Sequence, residues 1–250
     1  MALFYLYVFL IGLCIGSFAN VLLFRLGKKG GIFFGRSECP HCSAVLKWYD
    51  LIPVLSFILL KGRCRNCRKK ISKIYLLVEI AMACLALFTV FKIGALSWLF
   101  LFEGLIIFSL FVLVLFDIFY RTLPNKIVLL LLFAVLAKDF IFDRSNIKNL
   151  LFTALILGAF FAIMYLASKG RWLGFGDVKL VFIIGLLFGY PFGYLAVTAA
   201  VWLAALTGIA LMAANKAGLK TSLPFGAFMA GASIAFIIFQ NEIQLFRFFF

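Results

Sequence analysis

Two aspartates stand where an apolar chain would be expected to carry none. Asp177 follows Gly174-Phe175-Gly176 and opens a long apolar run, just after the basic residues Lys169 and Arg171; Asp117 closes an earlier run, Ser109 to Phe116, just before Arg121. A charged side chain costs about 2.5–3.5 kcal/mol at the centre of a membrane helix and less toward its ends, so an acid in such a place is a functional candidate by default. Two carboxyls held close in a low-dielectric site do not readily both ionise: one keeps a proton while the other can activate water. That is the chemistry of acid–base hydrolysis by an aspartyl pair. The glycines at 174 and 176 remove side chains beside Asp177 and let another chain approach. Lys179 can stabilise an ionised Asp177 or simply mark the inner end of its helix, and the sequence leaves both roles open.

A second constellation is Cys39-Pro40-His41-Cys42 with Cys64-Arg65-Asn66-Cys67. Each pair presents two thiolates to one ion, and four thiolates close a tetrahedral Zn²⁺ site with no open position, which is a structural rather than a catalytic arrangement. A redox motif needs only one pair, and disulfides do not persist on the reducing side of a membrane. His41 lies between two cysteines and is read as a bystander.

The elements that must position these groups are membrane helices. The chain of 250 residues is 66% hydrophobic and 13% charged, with a mean hydropathy of +1.17. Soluble domains are about 45–50% apolar and about 25% charged. The expected class is an all-α polytopic membrane protein. Apolar runs over roughly 2–24, 74–91, 95–117, 126–142, 149–168, 177–190, 192–214 and 225–246 predict about eight transmembrane helices. The net charge of +15 points to cytosolic loops rather than to nucleic acid. With the N-terminus outside, nineteen of the 24 Lys and Arg fall inside, twelve of them in 25–73; only Lys92, Lys138, Arg144, Lys148 and Arg247 fall outside. Asp117 then ends an inbound helix and Asp177 begins an outbound one, both facing the cytosol. For the pair to share a proton, their helices should pack side by side.

The organisation read from this is a first helix over 1–24, a cytosolic zinc-binding loop over 25–73, and a membrane core over 74–250. The first run lacks the positive charge that precedes the apolar core of a signal peptide, so it is read as an uncleaved helix. At its end, Gly16-Ser17-Phe18-Ala19-Asn20-Val21 can pack a neighbouring helix closely or form a polar wall beside an active site, and the sequence leaves these even. Trp48 to Leu60 is too short to span and contains Asp50 and Pro53, so it is expected to lie against the membrane. Glu79, about one turn inside its helix, is a candidate functional acid, with a protonated, hydrogen-bonded carboxyl as the alternative. Glu103, on the outer half of its helix, is read as structural, and Cys14 and Cys84 as packing residues.

In this order the motifs resemble those of the type IV prepilin peptidases, within the wider group of membrane GxGD aspartyl proteases. The resemblance rests on Gly16-Ser17-Phe18 with Asn20, Val21 and Arg25; the paired cysteines flanking Trp48-Tyr49-Asp50 and Pro53; Tyr75 with Glu79; Asp117 with Leu123-Pro124; Gly174-x-Gly176-Asp177 with Lys179; and Pro224-Phe225-Gly226. It covers nearly the whole chain. It implies that Asp117 and Asp177 are the catalytic pair, that the four cysteines bind zinc, and that the basic leader of a prepilin or pseudopilin is cut at the cytosolic face of a bacterial inner membrane. Many members then N-methylate the new N-terminal residue with S-adenosylmethionine. Three positions depart from the commonest pattern: Gly27 and Ala227 stand where proline is frequent, and Asn125 where aspartate is frequent. Two rival readings are a proton-coupled transporter using the aspartates as a relay and a non-enzymatic zinc-ribbon scaffold. The first lacks visible inverted repeats and mid-membrane acids, and the second leaves both aspartates unexplained.

Overall fold

In hydrocarbon every backbone N–H and C=O must find a partner within the segment, so long apolar runs become helices. The computed structural model describes residues 2–26, 36–93, 97–216, 218 and 221–245; Gly27 and the stretch around it lie outside the described residues. The helices are α1 (Ala2–Arg25), α2 (Leu55–Leu59), α3 (Lys73–Ile93), α4 (Trp98–Tyr120), α5 (Asn125–Phe142), α6 (Ile147–Ser168), α7 (Phe175–Phe188), α8 (Phe192–Ala213) and α9 (Phe225–Leu245). All but α2 coincide with an expected apolar run. Among the described residues, five helical segments are long and apolar enough to cross a membrane, namely α1, α3, α4, α8 and the stretch Arg144–Ser168 that contains α6. The remaining expected spans are α5, which carries Lys126, Lys138 and Asp139, the 14-residue α7, and α9.

The chain folds as two compact units, residues 1–95 and 96–250. In the first, α1 packs along α3. The contact is close because α1 carries Gly12 and Gly16 one turn apart. A Cβ at Gly12 would lie 2.6 Å from the Ala83 Cα, and one at Gly16 would lie 2.7 Å from the Glu79 Cα. Small residues four apart are what let two membrane helices touch backbone to backbone. Asn20 donates to the Tyr75 carbonyl at 3.1 Å, and Phe24 stacks on Tyr75 with ring centroids 4.8 Å apart. Of the two roles open to the segment after Gly16, close packing is the one these contacts display.

In the second unit α4 packs against α5 and α9, and α7 packs against α5, α6, α8 and α9. Its core is aliphatic, with Ile106, Leu110, Leu113, Leu131, Leu180, Ile184 and Met229 fully buried. Outward-facing residues such as Leu129, Phe133, Phe152, Ile163 and Trp202 are exposed, as a lipid-facing surface requires. At 14 residues α7 covers about 21 Å, short of a hydrocarbon core of about 30 Å. The irregular backbone at its ends needs partners from other elements. Asn149 of α6 provides them at the far end: it donates to the Tyr190 carbonyl at 3.2 Å and accepts the Tyr190 N–H at 3.3 Å.

The α1–α3 contact yields a direct test. Gly16→Leu should overpack it and cost about 1–3 kcal/mol, read as a lower melting temperature of the detergent-solubilised protein, with Gly16→Ala intermediate. A melting curve for the leucine variant that overlays the parent would show that the two helices do not approach as described.

Candidate functional site

Asp117 lies in the last turn of α4 and is buried. The helix ends at Arg121, whose backbone is left-handed (φ 53°, ψ 38°) and whose N–H returns to the Asp117 carbonyl at 3.0 Å. The Arg121 guanidinium donates to the Ser222 hydroxyl at 2.6 Å, tying the end of α4 to the segment that leads into α9. That segment ends in Leu223-Pro224, and Pro224 has no side chain with which to cap the helix that follows. The first-turn N–H groups of any helix lack partners of their own. Here they find one in Asp117: the Ala227 N–H donates to its Oδ2 at 2.7 Å, and the Gly226 N–H also faces the carboxylate. Asp117 thus caps α9 from another helix, with its negative charge at the positive end of the helix dipole.

Asp177 sits in the first turn of α7. Its backbone N–H donates to the Gly174 carbonyl at 3.1 Å, and its Oδ2 accepts the Gly174 N–H at 3.1 Å. Its other oxygen points toward Gly226. A Cβ placed on Gly226 would lie 3.1 Å from Asp117 Oδ2, 3.1 Å from Asp177 Oδ1 and 3.1 Å from Leu123 Cδ1. The two carboxylate oxygens are therefore no more than twice that distance apart, facing one another across the side-chain-free Gly226. The sequence expectation placed the two helices directly side by side. Instead α5 and α9 each pack on both α4 and α7, and the carboxylates meet across the side-chain-free start of α9.

The glycines divide their roles. A Cβ at Gly176 would press on Leu123 Cβ at 3.1 Å, whereas one at Gly174 would meet only ordinary contact with Asp177 Oδ2 at 3.4 Å. Close approach thus constrains Gly176 and Gly226 more than Gly174. The Lys179 ammonium donates to Asn125 Oδ1 at 2.9 Å and lies 4.8 Å from the Phe175 ring centroid; it joins α7 to the start of α5 rather than pairing with Asp177. Gly226 was visible in the sequence only as part of a turn at the mouth of the last helix. Nothing in its local pattern distinguished it as the point where the two acids meet.

The four cysteines come together in the first unit. Their sulfurs all lie within 4.8 Å of one another, with Cys39 and Cys67 Sγ 3.9 Å apart. Both knuckles use the same backbone device. The N–H of Cys39 bonds to the Ala44 carbonyl and that of Cys64 to the Lys69 carbonyl, and Ser43 and Arg68 turn through positive φ (53° and 58°) to send their N–H groups back to Cys39 and Cys64. The Ala44 N–H holds the Cys42 thiol below its usual range. At Cys67 the Lys69 N–H also favours the thiolate, but burial and the other three sulfurs outweigh it and push the thiol up to about 11. Mutual crowding of this kind is what a bound cation would relieve. His41 is exposed and outside the cluster.

The segment between the knuckles is fastened to them. Arg65 pairs with Asp50 at 2.8 Å and its guanidinium lies 5.0 Å from the Tyr49 ring centroid. Buried Glu79 accepts the Val54 N–H at 2.8 Å, and Val54 holds a positive φ of 61° that a β-branched residue rarely adopts. Glu79 is thereby the tether of this segment to α3. Glu103 is half-buried near the start of α4. Asp139, which the sequence reading passed over, is buried in the last turn of α5 with the Lys138 ammonium 3.5 Å away.

Comparison with known proteins divides along the same line as the two units. Residues 10–93 match the model of the bacterial peptidase A24 N-terminal domain, and residues 104–209 that of the type IV leader peptidase family. A prepilin leader peptidase/N-methyltransferase of Vibrio cholerae serotype O1 is 35% identical over 210 residues, covering 75% of this chain and 79% of that protein. A protein of the same name from Bacillus subtilis is 30% identical over 94% of both chains, and one from Stutzerimonas stutzeri 27% identical over 96% and 92%. No solved structure matches the chain significantly.

The junction at Gly226 makes one substitution informative. Gly226→Ala should push the two carboxylates apart by a few tenths of an ångström while improving helix propensity by about 0.5–1 kcal/mol. The expected outcome is at least a several-fold fall in turnover with a melting temperature equal to or above the parent's. Unchanged turnover would show that the spacing of the two acids is not what the site depends on.

Proposed function

The chain belongs to the type IV leader peptidase family, and from that premise we propose that it is a membrane-embedded aspartyl endopeptidase which removes the basic leader of a prepilin or pseudopilin, with Asp117 and Asp177 as the catalytic pair. The observation that carries the assignment is the convergence of the two carboxylates on Gly226. One member of the pair is ionised and draws a proton from water; the other is protonated and donates to the scissile carbonyl. Gly176 and Gly226 keep side chains out of the space where the substrate backbone would enter, and Lys179 supports the site by fixing α7 to α5.

The same reading sets the protein in a bacterial cytoplasmic membrane. The end of the second unit that holds both aspartates also holds Arg121, Lys126, Lys169, Arg171 and Lys216. Placing that end in the cytosol follows the positive-inside rule and brings the site to the side where a basic leader resides. Zn²⁺ is the ion proposed for Cys39, Cys42, Cys64 and Cys67. A Zn–S bond of about 2.3 Å in a tetrahedron spaces sulfurs about 3.8 Å apart, and the Cys39–Cys67 separation of 3.9 Å agrees. The ion would be structural, cross-linking the knuckles. The second activity in the relatives' names, N-methylation of the new N-terminus, is proposed here from family membership alone; S-adenosylmethionine would supply the methyl group.

Detergent-solubilised protein incubated with a prepilin and followed on a gel tests the peptidase. Asp117→Asn and Asp177→Asn should each abolish cleavage while the protein still accumulates in the membrane, because the amide keeps the volume but does not exchange the proton. Normal processing by either variant would remove the aspartyl-pair mechanism. For the metal, elemental analysis should find about one zinc per chain, with the content reduced in Cys64→Ser; metal-free parent protein would overturn that assignment.

A further inference from the structure

The two aspartates are not equivalent in what surrounds them. Asp117 Oδ2 accepts the Ala227 N–H at 2.7 Å in a buried setting and faces the Gly226 N–H as well. Asp177 Oδ2 accepts a single, exposed N–H, that of Gly174 at 3.1 Å, and its Oδ1 looks across Gly226 toward its partner. Hydrogen bonds from N–H groups to an ionised, buried carboxylate are the strong ones, and those at a helix N-terminus act with the dipole. Among the cations at this end, Arg121 after α4 donates to Ser222 and also faces Asp117 with its charge, Lys179 on α7 is held by Asn125 and the Phe175 ring, and Lys126, Lys169, Arg171 and Lys216 are exposed. The first two turns of α9 carry no titratable side chain. The short, buried hydrogen bond from the backbone of α9 is given to Asp117 and has no counterpart at Asp177.

We propose that the Ala227 N–H makes Asp117 the ionised member of the pair and leaves the shared proton on Asp177. The inference rests on the peptidase reading above and deepens it by giving each acid one role. Asp117 takes a proton from water as the water oxygen bonds to the scissile carbonyl carbon, and Asp177 gives its proton to the carbonyl oxygen, forming a neutral gem-diol. On collapse Asp177 recovers a proton from one hydroxyl as the carbonyl re-forms, the C–N bond breaks, and Asp117 delivers its proton to the departing nitrogen. Both acids end as they began. Position 227 is one where proline, which has no N–H, would be expected from the resemblance, so this donor is a property of this chain's own sequence.

Proline is tolerated in the first turn of a helix, and Ala227→Pro removes the donor while its ring Cδ, standing where the N–H pointed, moves the Asp117 carboxylate off the helix start. The acid-side midpoint of its pH profile for kcat/KM should move to higher pH by about one unit, the size expected for losing one hydrogen bond to a charged group. Ala227→Gly keeps the N–H and should leave that midpoint in place, whatever its turnover. A second readout needs neither variant nor activity. Carbodiimide coupling consumes protonated carboxyls, so when the unsubstituted protein is labelled across a pH series and mapped by peptide mass spectrometry, the midpoint for Asp117 should lie below that for Asp177. An unmoved acid limb in Ala227→Pro, or labelling midpoints in the reverse order, overturns the proposal while leaving cleavage by the pair intact. Failure of the unsubstituted protein to cleave a prepilin, with the labelling order as expected, would instead overturn the peptidase reading.

Discussion

Asp117 meets the backbone of α9 rather than a cation, and this contact organises the second unit. A carboxylate near hydrocarbon needs donors, and the first turn of a helix has N–H groups that need acceptors. Each deficit satisfies the other at 2.7 Å. The pairing fixes where α9 begins relative to α4, and Arg121, turned back through a left-handed residue to Ser222, holds the connecting segment in register. Once α9 is so placed, Gly226 lies between the two carboxylates, and the absence of a side chain there leaves Asp177 within reach.

The short helix α7 answers to the same economy of backbone polar groups. Its 14 residues are too few to reach across a hydrocarbon core, and both of its ends are served by groups of the surrounding chain. Gly174 and the Asp177 carboxylate serve one end and Asn149 the other. Close packing of Gly185 on the Ala154 backbone holds the short helix to α6.

The first unit solves a different problem. Its soluble segment is too small for a core of its own, and small folds of that kind depend on cross-links such as a metal. Two knuckles with matching turns present four sulfurs to one point, and the intervening segment is held by Arg65 on Asp50 and by Glu79 on the Val54 N–H. Glu79 accepts the Val54 N–H where that residue's backbone holds a positive φ, and the bond ties this segment to α3.

Much of this was legible in the sequence, because periodicity and spacing are local properties. Eight apolar runs gave eight helices nearly residue for residue, since backbone satisfaction in lipid leaves no alternative structure. The CxxC spacing likewise implied a four-sulfur cluster, because each pair is bound within one turn. Asp117 and Asp177 stood out by the cost of their position. What local pattern does not encode is which element comes between two others. That the carboxylates meet across Gly226 rather than on helices packed directly together, that Lys179 turns to Asn125, and that Ala227 offers its N–H to Asp117 all depend on residues 50 to 110 positions apart. Such contacts follow from how helix N-termini and glycine faces fit together in three dimensions, and only the tertiary structure decides them.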